Sequence, residues 1–114
     1  MEPTERKRKM AILETLHKTG ATYPGWNGSF SEILLHLKAG QKAARKGWNG
    51  KSMFIFLVPG STFVVNRAPL LGIYPEGTTI NYLPHLDMRT ATGEIVPWLA
   101  SQTDVLAEDW MIVE

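Results

Sequence analysis

Two tryptophans stand where their rings could grip something flat. Trp48 lies in Gly47-Trp48-Asn49-Gly50-Lys51, one residue before the apolar run Met53–Val58. An Asn-Gly pair accepts positive φ easily and makes tight turns, so the Trp48 ring can project from such a turn. Trp98 follows Pro97 and precedes Ser101-Gln102-Thr103-Asp104. An aromatic face stacks on a nucleobase, and small hydroxyl, amide and carboxylate groups suit ribose oxygens and base edges. Asn49, Ser101, Gln102, Thr103 and Asp104 supply those groups. A pyrophosphate favours backbone N–H groups at a turn or helix start, which Gly50 and Ser101–Thr103 could offer, with charge from Lys51 or Arg89. The plainer reading of the same tryptophans is packing, because a Trp at a strand start is commonly a core residue whose N–H has found a partner. From residue types alone both readings stay open.

Catalytic chemistry is thinly represented. Neither common Gly-rich phosphate loop is present, and no serine, histidine and acid fall into a triad pattern. Asp87 and Arg89 alternate on one strand face, and His85 shares their two-residue period. Such a polar face is usually solvated, and it could also line the mouth of a pocket. Asp104 and Asp109 lie near aromatics, but a helix cap accounts for the first and a turn for the second. His17, His36 and His85 have no ligand spacing, and with no cysteine in the chain no metal site is expected. No cofactor is implied. The residues point to a binding protein rather than an enzyme.

The 114 residues suit one domain with a tail. Five of the twelve basic residues lie in the first twenty positions, four of them as Arg6-Lys7-Arg8-Lys9, and the remainder is slightly acidic. That balance argues against a binder of long nucleic acid, which needs a basic stripe. No apolar run is long enough to span a membrane, and no hydrophobic leader is visible near the first residue, so the chain is expected in the cytoplasm.

The elements that must position these residues can be read in order. Thr4–Lys18 carries apolar positions at helical spacing, ended by Gly20, and Ala21–Gly28 is a turn-rich connector. Ser29-Phe30-Ser31-Glu32 has capping-box spacing and opens a helix with Phe30, Ile33, Leu34 and Leu37 on one face, ended by Gly40. Gln41–Arg45 reads as a short strand and Lys51–Val58 as the best strand of the chain, stopped by Pro59-Gly60. Phe63–Val65 looks extended, and Arg67–Gly77 is irregular, with Leu70, Leu71, Ile73 and Tyr74 offering apolar surface. Thr78–Tyr82 is a short strand. Leu86–Arg89 and Glu94–Trp98 form a hairpin. A helical turn capped by Ser101 runs through Glu108, and Trp110–Val113 is a last strand with Trp110 in the core. The expected class is α+β: a small antiparallel sheet with a capped helix packed on it, plus an N-terminal helical extension.

Gly-Trp-Asn-Gly-Lys at residues 47–51, Pro84-His85-Leu86-Asp87-Met88, and Pro97-Trp98 with Ser101-Gln102-x-Asp104 before Asp109-Trp110 carry a resemblance. Over about residues 29–113 the chain resembles the type-two Thoeris anti-defence sponges of phages and prophages. The resemblance implies a homotetramer with no catalysis. It implies that the protein binds and sequesters the cyclic ADP-ribose isomer made by bacterial TIR-domain sensors, in the cytoplasm of the infected host, and that cyclic oligonucleotide signals can be trapped at a second site. It divides the chain into a 1–28 extension and connector and a 29–114 signal-nucleotide-binding domain. It also tips Trp48 and Trp98 toward ligand contact. The Arg67–Gly77 stretch looks longer than in the shortest members. The rival readings are a single-stranded nucleic-acid or protein-binding module with an open aromatic platform, and a nucleotide-processing enzyme.

Overall fold

The computed structural model describes Lys7 and residues 27–48 and 52–114. The expected Thr4–Lys18 helix, most of the connector after it, and Asn49, Gly50 and Lys51 lie outside the described residues.

Helix α1 spans Phe30–Lys38. Its start is set by side-chain chemistry: Ser29 Oγ accepts the Glu32 N–H and Glu32 Oε1 accepts the Ser29 N–H, each at 3.3 Å. This reciprocal pair satisfies two amides that a helix start leaves without a partner. Gly40 takes φ 93° just past the Ala39 cap, a conformation that a Cβ disfavours and that turns the chain out of the helix. The buried face carries Ile33, His36 and Leu37. His36 was not anticipated inside; its Nδ1 lies 2.6 Å from Gln41 Oε1.

Among the described residues seven strands follow, with one short helix among them. They are β1 (Lys42–Arg45), β2 (Phe54–Val58), β3 (Ser61–Val64), β4 (Thr79–Tyr82), β5 (His85–Arg89), β6 (Ile95–Pro97) and β7 (Trp110–Val113), and α2 (Gln102–Val105) lies between β6 and β7. Five strands form one antiparallel sheet in the order β6-β5-β2-β1-β7. Pro97, which has no N–H to give a ladder, sits on edge strand β6, where that loss is tolerated. Strand β2 begins at Phe54 rather than Lys51, because the turn before it extends through Ser52, which holds φ 67°. Helix α2 stops at Val105, short of the expected Glu108.

One face of this sheet meets α1. Ile33, Leu37, Ala43, Ile55 and Trp110 are fully buried there, flanked by Phe30, Leu34, Leu35, Leu86, Met88 and Ile112. Alternation along the strands sends Phe54, Phe56, Asp87 and Arg89 to the opposite, outer face.

Strands β3 and β4 pair only with each other, from Ser61↔Tyr82 to Val64↔Thr79. The irregular segment that joins them is hydrogen-bonded within itself: Val65 N–H to Thr78 O at 2.9 Å, Gly77 N–H to Val65 O at 3.0 Å, and Tyr74 N–H to Leu70 O at 2.8 Å. Among the described elements, β3 and β4 make their substantial contacts with each other and not with strands of the five-stranded sheet. It leaves Ile73 at 69% and Leu83 at 78% exposure.

Candidate functional site

The site begins with Trp110 at the start of β7. Its ring is fully buried, and its Nε1–H donates to the Asp104 carbonyl at 2.8 Å. Three aromatics gather on it. Phe30, from the start of α1, stands 5.4 Å away between ring centres. Trp48 presents at 5.4 Å and 80°, and Trp98 at 6.0 Å and 83°, both edge-to-face. This is the arrangement that the ring quadrupoles favour. Phe30 also meets Trp98 at 6.2 Å.

Trp98 continues β6, with its N–H on Leu86 O at 3.0 Å, while Trp110 lies on β7 at the other edge of the sheet. Their rings meet at 6.0 Å, so the two long side chains reach toward each other across the inner face, with Phe30 of α1 against both.

Trp48 and Trp98 are both half-buried, so each packs on the core and keeps part of its surface accessible. The Trp48 ring therefore does not simply project from its turn. Beside it the polar groups converge. Ser101 Oγ accepts the Asp104 N–H at 3.1 Å and Asp104 Oδ2 accepts the Ser101 N–H at 3.0 Å, a second reciprocal cap. Ser101 Oγ and Thr103 Oγ1 lie 2.9 Å apart on the exposed side, and Gln102 is exposed next to them.

Sequence reasoning passed over the residue that ties this corner together. Arg45, at the end of β1, donates from Nη1 to Asp104 Oδ1 and from Nε to Asp109 Oδ1, both at 3.0 Å. Asp109 Oδ2 accepts the Gly47 N–H at 3.1 Å, on the turn that carries Trp48. Burial opposes ionisation of Asp104, but the Ser101 amide and side chain and the Arg45 guanidinium outweigh it and hold the carboxyl below its ordinary value. Burial likewise opposes ionisation of Asp109, and Arg45 with the Gly47 amide pulls that carboxyl down. The hydrogen bonds to Asp109 and then Asp104 raise Arg45 further above the range where it could lose its proton. The one available signal was a lone arginine ending an otherwise small-residue strand next to the Trp turn.

Asp87 and Arg89 are not brought to the aromatic group. They sit on the outer face of the sheet, opposite Phe56 and Phe54. Asp87 Oδ1 lies 3.5 Å from His85 Nε2. Arg89 Nη1 donates to the carbonyls of Ser52 at 3.0 Å and Thr90 at 3.3 Å, which ties it to the far side of the Trp48 turn. Among the described residues no group of three acidic or histidine side chains is placed to hold a metal ion.

A half-buried aromatic pair beside a polar corner can stack a planar ring and bond its polar edges. Comparison with known proteins places the chain in a family. Residues 28–113 match the model of the Thoeris anti-defense 2-like domain. The chain is also 41% identical over 85 residues to Thoeris anti-defense 2 of Bacillus phage SP01, an alignment that covers 75% of this chain and 93% of that protein. With the match running from Gly28, just before α1, to the end of β7, this chain belongs to the Thoeris anti-defense 2-like family.

Proposed function

We propose that the protein blocks Thoeris anti-phage defence by holding the cyclic ADP-ribose isomer made by TIR-domain sensors, without turning it over, in the cytoplasm of the infected bacterium. The observation that carries this reading is the pair of half-exposed tryptophans, Trp48 and Trp98, braced edge-on by Trp110 beside the Ser101–Asp104 corner, in a chain of this family. Adenine stacks on one or both rings, at roughly 1–3 kcal/mol per base. The Ser101 and Thr103 hydroxyls, Gln102 and Asp104 meet ribose or phosphate oxygens and base edges. Asn49, Gly50 and Lys51, which follow Trp48 in the sequence, are further candidate contacts, and Arg89 bonds the Ser52 carbonyl after them. Asp87 serves the outer sheet face.

The proposed assembly is a homotetramer, because the arm and the β6–α2 edge expose apolar surface that association would cover: Leu99 is 92% and Leu106 74% exposed. Cyclic oligonucleotide signals have a separate candidate site in a concavity of about 760 Å³ on the arm, lined by Phe63, Asn66, Arg67, Leu70 and Tyr82. The proposed division of labour leaves residues 1–28 outside the ligand site and gives binding to 29–114.

The test is retention of intact ligand. Protein incubated with the purified signal, passed through a desalting column and then heated should release unmodified nucleotide. Release of a cleaved product would make it an enzyme, and absence of any bound nucleotide would remove the reading. Affinity should also change little with salt, whereas a single-stranded nucleic-acid platform would lose orders of magnitude.

A further inference from the structure

Arg45 ends β1 opposite Trp110 in the strand register, and its side chain is 22% exposed. Its guanidinium reaches two carboxylates on two different elements, Asp104 in α2 and Asp109 before β7. Each carboxylate then holds one wall of the aromatic site. Asp109 Oδ2 takes the Gly47 N–H, the Asp109 carbonyl takes the Lys46 N–H at 3.1 Å, and the Arg45 carbonyl takes the Trp48 N–H at 3.2 Å. The N–H groups of Lys46, Gly47 and Trp48 thus all end on Asp109 or Arg45. On the other side, Asp104 Oδ2 fixes the Ser101 amide, three residues after Trp98, and its carbonyl fixes the Trp110 indole.

Partly exposed ion pairs add little net stability, because hydration and side-chain entropy offset the attraction. A planar fork that bonds two acceptors at fixed angles is instead a geometric device, and a lysine cannot reproduce it. We propose that Arg45 is a positioning residue: its fork sets the placement of the Trp48 turn against the Trp98–Asp104 segment, and through it how tightly a stacked ring is held. This rests on the reading that Trp48 and Trp98 grip the nucleotide.

The test uses the full chain and the cyclic ADP-ribose isomer purified from a TIR-domain enzyme reaction, with wild type, Arg45→Lys, Trp48→Ala and the double variant. Without ligand, the Trp48 indole N–H signal in ¹H–¹⁵N spectra should shift or broaden in Arg45→Lys while the Trp110 signal holds. Affinity should fall at least about tenfold, and the loss should shrink severalfold in the Trp48→Ala background, because both changes act through one wall. An unshifted Trp48 signal, wild-type affinity, or an undiminished loss on top of Trp48→Ala would overturn the proposal. Should Arg45→Lys fail to fold, Asp109→Asn takes its place in the same comparisons. A shifted Trp48 signal together with no binding by wild type would leave the positioning role standing and sink the sponge reading instead.

Discussion

Trp48 and Trp98 each pack edge-to-face with Trp110 but stay half-buried, so they differ from it in what a truncation removes. Trp110→Ala empties a fully buried site and takes the indole donor from the Asp104 carbonyl, which keeps only the longer Ala107 N–H bond. It should cost about 3–5 kcal/mol of stability. Trp48 is half-buried, so Trp48→Ala should cost less than that in stability. It should also cost about 1–3 kcal/mol in ligand affinity, a loss of roughly tenfold to hundredfold. Thermal melting and calorimetry on the same variant separate the two. Wild-type affinity in the folded Trp48→Ala protein would return this ring to a packing role alone. Trp48→Phe keeps a stacking face and should recover most of the melting temperature and part of the affinity.

At the scale of elements, two reciprocal caps do different work. The Ser29 cap starts the helix whose Ile33 and Leu37 close the core, so Ser29→Ala should lower global stability by about 1 kcal/mol in denaturant unfolding, with ligand affinity unchanged. The Ser101 cap holds a helix of four residues, and its partner Asp104 is shared with Arg45. Here pH is informative. Asp104 and Asp109 both have folded values below the ordinary 3.8. A carboxyl held down in the fold contributes stability that is fully present above its unfolded value and is lost as pH falls through the lower folded value. Melting temperature should therefore be insensitive to these groups above about pH 5 and should fall below about pH 4. Arg45→Gln should flatten that acid limb. An identical acid limb in Arg45→Gln would mean that Ser101 and the Gly47 amide hold the two carboxyls down without the guanidinium.

For the whole molecule, the apolar surface lies where a second chain could use it. The arm presents Val64, Leu71, Ile73, Tyr74, Tyr82 and Leu83, and the β6–α2 edge presents Ile95, Val96, Leu99, Val105 and Leu106. Surface of this extent on a small chain marks interaction. Light scattering should report about four chain masses for the intact protein, closed by symmetry. Ile73→Glu with Leu83→Glu removes nothing from the core, so that variant should stay folded and run as a smaller species. A wild-type protein that is monomeric at micromolar concentration would remove the tetramer.

Much of this was legible in the chain because the chemistry acts over three or four residues. Ser29 with Glu32, and Ser101 with Asp104, are local bonds, and both caps appear where their spacing placed them. The β5–β6 hairpin, the period-two face of His85, Asp87 and Arg89, and a buried Trp110 follow equally from local pattern. What the pattern could not hold was partner choice. Arg45 meets Asp104 and Asp109 across separations of 59 and 64 residues, and a four-residue strand of Lys, Ala, Ala and Arg carries no alternation to say which face it buries. Nor could it show that β2 would lie between β5 and β1, or that Asp87 would face away from the tryptophans. Those outcomes belong to the packed whole. Only when α1 packs on one face, and Phe30 meets rings that come from both edges of the sheet, do Trp48, Trp98 and Trp110 become one group. The residue types specified what each group could bond, and the packing of helix on sheet decided which of them stand together.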